Sequence, residues 1–127
     1  MSPATDILET EWDLLDALWQ AKRATARQVT ELLAARRGWA YSTVKTMLDR
    51  MVEKRLVDAR QVGNVWEYTA AVPRQEAQGR AWRRFVDVAF GGAVGPTLAF
   101  VAKETKLTRR QRQELQALLD GIEGDHE

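Results

Sequence analysis

The sequence predicts a mainly α-helical chain with one small β-hairpin: three helices and the hairpin first, then a tail of three further helices. Apolar residues recur at helical spacing in six separate stretches. Two β-prone runs flank a Gly63-Asn64 turn, and Pro73 separates that hairpin from everything after it. Apolar residues make up 45% of the 127, enough for a packed core.

Asp6-Ile7-Leu8-Glu9 has the form of a capping box, with Asp6 accepting from free backbone N–H groups and Glu9 reaching back. Leu8, Trp12, Leu15, Leu18 and Trp19 then share one side of a helix over 7–21. Thr25-Ala26-Arg27-Gln28 is a second capping box, and Val29, Leu32 and Leu33 carry it into a short helix over 26–36 that stops near Gly38. A third helix, 41–55, divides most sharply. Tyr41, Val44, Met47, Leu48, Met51 and Val52 fall within a narrow arc, and Ser42, Thr46, Asp49 and Glu53 fall opposite, flanked by Thr43, Lys45 and Arg50. Leu56 to Arg60 and Val65 to Thr69 are the hairpin strands. Trp12, Trp19, Trp39, Trp66 and Tyr68 read as core or strand packing rather than as stacking platforms for bases.

Three helices followed by a two-stranded hairpin is the order of a winged helix-turn-helix, here a domain over 1–73. Residues 74–127 hold the tail. A helix over 74–90 carries Ala77, Ala81, Phe85, Val88 and Ala89 on one stripe and ends at Gly91-Gly92. Pro96 suits the first turn of the next helix, which runs to Glu104, and Thr108-Arg109-Arg110-Gln111 caps the last, with Leu115, Leu118, Leu119 and Ile122. So short a tail rarely buries enough surface to fold alone. Its stripes can pack back on the winged helix or against a second copy; two-fold symmetry favours the second, a three-helix dimerisation domain with Phe85, Leu115, Leu118, Leu119 and Ile122 between two copies.

Composition narrows the function. The absence of cysteine removes disulfides, thiol nucleophiles and cysteine-based metal sites, and the lone histidine, His126, stands next to last. No acid–base pair, nucleophile or phosphate loop is visible, so neither an enzyme, a cofactor nor a metal is expected. No stretch approaches the roughly 18 apolar residues that span a bilayer, and the first residues lack the pattern of a signal peptide. A cytoplasmic protein without direct membrane binding is expected. Residues 1–20 carry five acids (Asp6, Glu9, Glu11, Asp13, Asp16) and no Lys or Arg. Residues 36–60 carry seven bases (Arg36, Arg37, Lys45, Arg50, Lys54, Arg55, Arg60) against three acids (Asp49, Glu53, Asp58). A basic stripe on a chain of net charge +1 suits phosphate contact, and equally a solvated helix face.

The second helix of a helix-turn-helix pair lies in the major groove and touches base edges with its first residues. Ser42, Thr43 and Thr46 offer short hydroxyls there, although Ser42 reads equally as a helix cap. Lys45 and Arg50 supply charge for phosphates or a guanine edge, and Arg60 on the hairpin suits the flanking backbone. Asp49 and Glu53 belong at the edge of this face or paired with bases. A winged helix used as a protein-interaction module, without DNA, is the competing reading; the hydroxyls and Lys45 argue against it.

At these residues the sequence resembles a known family. Glu11-Trp12-Asp13-Leu14-Leu15-Asp16-Ala17-Leu18-Trp19, Thr25-Ala26-Arg27-Gln28-Val29 and the run from Trp39 to Lys54 are similar to the first three helices of the penicillinase-repressor family, the BlaI/MecI/CopY type. Phe85-Val86-Asp87-Val88-Ala89-Phe90-Gly91-Gly92 and Leu107-Thr108 are similar to its dimerisation segment. The resemblance implies a homodimer that binds a palindromic DNA operator and represses transcription, with β-lactam resistance genes among the targets. In the β-lactam branch it also implies a membrane sensor-protease that cuts the dimerisation segment before a Phe-Val pair. Ala99 and Phe100 match that position, with Ala99 where the best-known members carry asparagine. Leu98, Phe100 and Val101 read equally as ordinary dimer-core residues. The copper branch relies on a cysteine-rich tail, which this chain lacks. Leu8 holds the usual Ser/Thr cap position of the first helix, which leaves capping to Asp6.

Overall fold

The computed structural model describes residues 7–125, with side chains through residue 121. Asp6 and His126 lie outside the described residues, as does the side chain of Ile122. The elements run α1 (Glu9–Ala21), β1 (Ala24–Thr25), α2 (Ala26–Leu32), α3 (Tyr41–Glu53), β2 (Val57–Val62), β3 (Val65–Ala70), α4 (Arg74–Phe90), α5 (Val94–Glu104) and α6 (Arg109–Asp125). Among the described residues, six helices and a small sheet in this order make a mainly α, winged helix-turn-helix chain with a helical tail. The chain forms two compact units, Met1–Phe85 and Val86–Glu127, so the division falls inside α4.

In the first unit α1 starts at Glu9, later than expected, with Leu8 at the N-cap. Leucine has no side-chain acceptor, and only half a capping box forms: the Leu8 N–H donates to Glu11 Oε1 at 2.9 Å. Leu8 therefore stays exposed rather than joining the α1 stripe. Thr25 caps α2 in full. Its Oγ1 accepts from the Gln28 N–H at 3.2 Å, and Gln28 Oε1 accepts from the Thr25 N–H at 2.8 Å. The helix is shorter than expected because the chain leaves it at Leu33 and turns through Gly38, whose φ is +64°. Val29 and Leu33 enter the core, whereas Leu32 points out.

The core gathers Leu14, Leu15 and Leu18 of α1, Val44, Leu48 and Met51 of α3, then Leu56, Val57 and Tyr68. Ala77 of α4 is also buried in it. Trp12, Trp19 and Trp39 pack against its edge as expected, but Trp66 is 44% exposed. α3 closes on Arg55, which takes φ +66° where glycine is usual. The Leu56 N–H donates to the Met51 carbonyl at 2.9 Å and the Arg55 N–H to that of Val52 at 3.0 Å, the double bond of a Schellman motif. This closure aims the chain into β2.

The sheet has three strands, in the order β1-β3-β2, rather than the two of the expected hairpin. β2 and β3 pair from Val57↔Ala70 to Val62↔Val65 across Gly63-Asn64, with Gly63 at φ +64°. β1 adds only Ala24↔Tyr68 and Thr25↔Glu67, too short a segment to leave an alternating pattern in sequence. At the start of α4, Arg74 Nη2 meets Asp16 Oδ1 at 3.0 Å and its guanidinium lies 4.7 Å from the Trp19 ring centre. Trp19 Nε1 donates to the Val72 carbonyl at 2.9 Å.

In the second unit Gly91 and Gly92 both take positive φ, as the end of α4 requires. Thr97 is fully buried in α5 and donates to the Ala93 carbonyl at 2.7 Å, and the Phe90 and Phe100 rings meet at a tilt of 59° with centres 5.6 Å apart. Thr108 caps α6 as expected: its Oγ1 accepts from the Gln111 N–H at 3.1 Å, and Gln111 Oε1 accepts from the Thr108 N–H at 3.0 Å. Among the described residues no single helix is long and apolar enough to cross a membrane.

Candidate nucleic-acid interface

α3 is built to show one face and bury the other. Val44, Leu48 and Met51 have no exposed surface, and a turn of 3.6 residues puts Ser42, Thr43, Thr46 and Arg50 outside, all exposed. Ala40, in extended backbone, holds the N-cap, so Ser42 is not the cap and its hydroxyl is carried on the first turn. Tyr41 is also exposed, not buried with the apolar arc, and the Arg27 guanidinium lies 5.2 Å from its ring centre.

Lys45 is half-buried and held from two sides. Its Nζ donates to the Tyr68 hydroxyl at 2.8 Å and to Asp49 at 3.0 Å, and the Tyr68 hydroxyl donates to Asp49 Oδ1 at 3.0 Å. The Tyr68 hydroxyl and then Asp49 raise the lysine pKa above its ordinary value, so the cation persists across neutral pH. Burial raises the Tyr68 phenol in the same direction. Asp49 is thus paired with a basic neighbour.

The structure brings Ser42, Thr43, Lys45 and Thr46 together on the first turns of α3, with Arg50 further along. Arg60 stands apart from them. It opposes Glu67 across the sheet, with 3.6 Å between Nη2 and Oε1, on the face away from Tyr68. The basic stripe between 36 and 60 also proves less free than its composition suggests. Arg36 and Arg37 both bind the buried Asp13, and Lys54 Nζ meets the buried Glu11 at 2.7 Å. The acids of the first helix and the bases of the stripe answer each other inside the fold.

In the tail, Phe85, Leu115, Leu118 and Leu119 are all exposed on a single chain. Ala99 and Phe100 are exposed in α5. Among the described residues no cluster of His, Cys, Asp or Glu suits a metal ion.

Tyr41 and Trp66, read as packing residues in the sequence, and Arg27, read only as part of a capping box, all reach the surface beside this face. Trp66 stands two residues before Tyr68 in β3, on the same face, but Tyr68 is buried and Trp66 lies beyond the core edge. Strand alternation gives the face and not the depth, so the two aromatics looked alike.

A helix with exposed hydroxyls and cations over a helix-turn-helix core, beside a three-stranded wing, defines a winged-helix DNA-binding transcriptional regulator. Comparison with known proteins makes this specific. The family described as penicillinase repressor matches residues 7–121, and the chain belongs to that family of DNA-binding transcriptional repressors. A 16.5 kDa protein encoded 3' of ptsI in Latilactobacillus sakei is 32% identical over 90% of this chain and 78% of its own length. The methicillin resistance regulatory protein MecI of Mammaliicoccus sciuri is 25% identical over 91% of this chain and 94% of its own. Among solved structures, the DNA-binding domain of the repressor BlaI superposes with a TM-score of 0.53 at 22% identity, covering 60% of this chain and 93% of that one, a likeness of fold.

Proposed function

We propose that this repressor binds double-stranded operator DNA as a homodimer, with α3 in the major groove of each half-site. The observation that carries the reading is the two-sidedness of α3: Val44, Leu48 and Met51 lock it to the core while Ser42, Thr43, Thr46 and Arg50 face outward. Hydroxyls on a first helical turn approach bases closely, and a threonine methyl matches the thymine methyl. Lys45 and Arg50 serve phosphates or a guanine edge, and Arg60 serves the flanking backbone. The tail, 74–127, acts as the dimerisation domain; the exposure of Phe85, Leu115, Leu118 and Leu119 on one chain supports that role, which Ile122 shares. Two-fold pairing sets the half-sites about one helical turn, or a multiple of it, apart.

The likeness to a methicillin resistance regulator supports β-lactam resistance or related genes as the targets. A membrane sensor-protease then lifts repression by cutting between Ala99 and Phe100, both accessible in α5. The protein works in the cytoplasm and carries out no reaction of its own. Selection of duplexes from a random library tests the reading. The selected site should be palindromic, and Thr46→Ala should weaken it by about 1–3 kcal/mol relative to random duplex. Equal losses on both would remove Thr46 as a reader of bases, and a chain that selects no duplex would overturn the proposal.

A further inference from the structure

Beside the α3 face lies a cleft of about 290 Å³, walled by the start of α2, the first turn of α3 and the wing. Arg27, Tyr41, Lys45, Asn64, Trp66 and Tyr68 line it, and none of its lining residues is acidic. Two features of this cleft have no part in the fold. Trp66 keeps 44% of its surface in water although β3 could have carried a polar side chain there. Arg27 lies over Tyr41 and, among the described residues, has no carboxylate partner. An indole ring and two cations around one concave surface suit a ligand that is anionic at one end and apolar at the other.

We propose that this cleft seats the sugar–phosphate backbone of the DNA strand bordering the major groove, with Arg27 on the phosphate and Trp66 against the deoxyribose. The inference rests on the operator-binding reading above and deepens it. α3 lines the cleft through Tyr41 and Lys45, each followed along the helix by one of the exposed hydroxyl residues, Ser42 and Thr46, so a strand whose bases meet those hydroxyls runs past it. Lys45 belongs to both places, since its stem lies on the α3 surface and its ammonium is tied to Tyr68 in the cleft wall. Because the backbone is the same at every step, this contact fixes how deeply α3 enters the groove without reading sequence. A cation–π contact holds the Arg27 guanidinium in place before DNA arrives, which reduces the ordering cost of the phosphate bond.

The test compares Arg27→Ala, Trp66→Ala and Trp66→Phe with the wild-type full chain, on a random 30-bp duplex and on a duplex selected by the wild type. Arg27→Ala should flatten the dependence of log K on log salt by about one unit on both duplexes. Trp66→Ala should weaken both roughly fivefold at unchanged salt slope, the loss of about 1 kcal/mol of apolar contact, and Trp66→Phe should recover most of it. A neutral methylphosphonate at the contacted position of the selected duplex should make wild type and Arg27→Ala bind alike. Thermal melts establish that the variants are folded. Folded variants that match the wild type in affinity and slope would overturn the cleft while leaving the operator reading intact. Loss from Trp66→Ala on the selected duplex alone would overturn it too, by making Trp66 a reader of bases. A wild type that selects no duplex would remove the operator reading itself, and the cleft with it.

Discussion

Lys45, Tyr68 and Asp49 show how one side chain can serve packing and electrostatics together. Tyr68 is legible in the sequence as a packing residue, and its ring is indeed buried, but its hydroxyl accepts from the Lys45 ammonium on α3. A periodicity argument sees the ring and not the hydroxyl, because the partner is 23 positions away in sequence. Lys45 binds its proton more tightly in the fold, through the Tyr68 hydroxyl first and Asp49 second, and Tyr68 does so chiefly through burial. Both groups therefore add stability below their ordinary values and lose it as pH rises through the raised ones. Urea midpoints should show no contribution from this cluster to pH dependence between about pH 7 and 9, and a fall above about 10. In Tyr68→Phe the ring still packs, so the variant should lose about 1 kcal/mol at neutral pH and show a smaller alkaline fall. An unchanged alkaline limb would mean that the phenol does not titrate with the fold.

At the scale of the element, what was legible followed local rules. Thr25-Ala26-Arg27-Gln28 and Thr108-Arg109-Arg110-Gln111 cap their helices as written because a capping box needs only four residues in a row. The first helix departed from expectation for the opposite reason. The Leu8 side chain cannot accept a hydrogen bond, so only the return half of the box forms, with the Glu11 carboxylate accepting from the Leu8 N–H while also receiving Lys54, a partner 43 residues away. β1 escaped notice because its two residues take their strand character entirely from β3. The Schellman closure after α3 had no glycine to announce it. Arg55 occupies a left-handed conformation that costs a non-glycine residue about 1 kcal/mol or more. Arg55→Gly should accordingly raise stability by several tenths of a kcal/mol, the relief of strain exceeding the extra entropy of the unfolded chain. Destabilisation in a denaturant titration would show that the Arg55 side chain contributes more than its backbone costs.

For the whole molecule, the sequence placed a boundary at Pro73, where hairpin chemistry gives way to helical periodicity, whereas the compact units divide between Phe85 and Val86. The first turns of α4 belong to the core by packing: Ala77 is fully buried and Arg74 is tied to Asp16 and Trp19. A chain ending at Phe85 should thus fold as a stable unit, and one ending at Pro73 should be less stable by roughly 2–4 kcal/mol, the scale of lost core burial, to which the partly exposed ion pair adds little. Equal melting of the two would place α4 outside the core. The inward use of charge has its own consequence at this scale. Of the seven bases between 36 and 60, Arg36 and Arg37 are matched to Asp13, Lys45 to Asp49, Lys54 to Glu11 and Arg60 to Glu67. Attachment to arbitrary DNA depends on how many counterions a protein displaces, so cations such as Lys45 and Arg60 add to it only by exchanging a carboxylate of the fold for a phosphate. That exchange gives back part of what each phosphate contact gains, so affinity for a random duplex should be modest and should rise when Glu67→Gln frees Arg60, as a filter-binding titration would show.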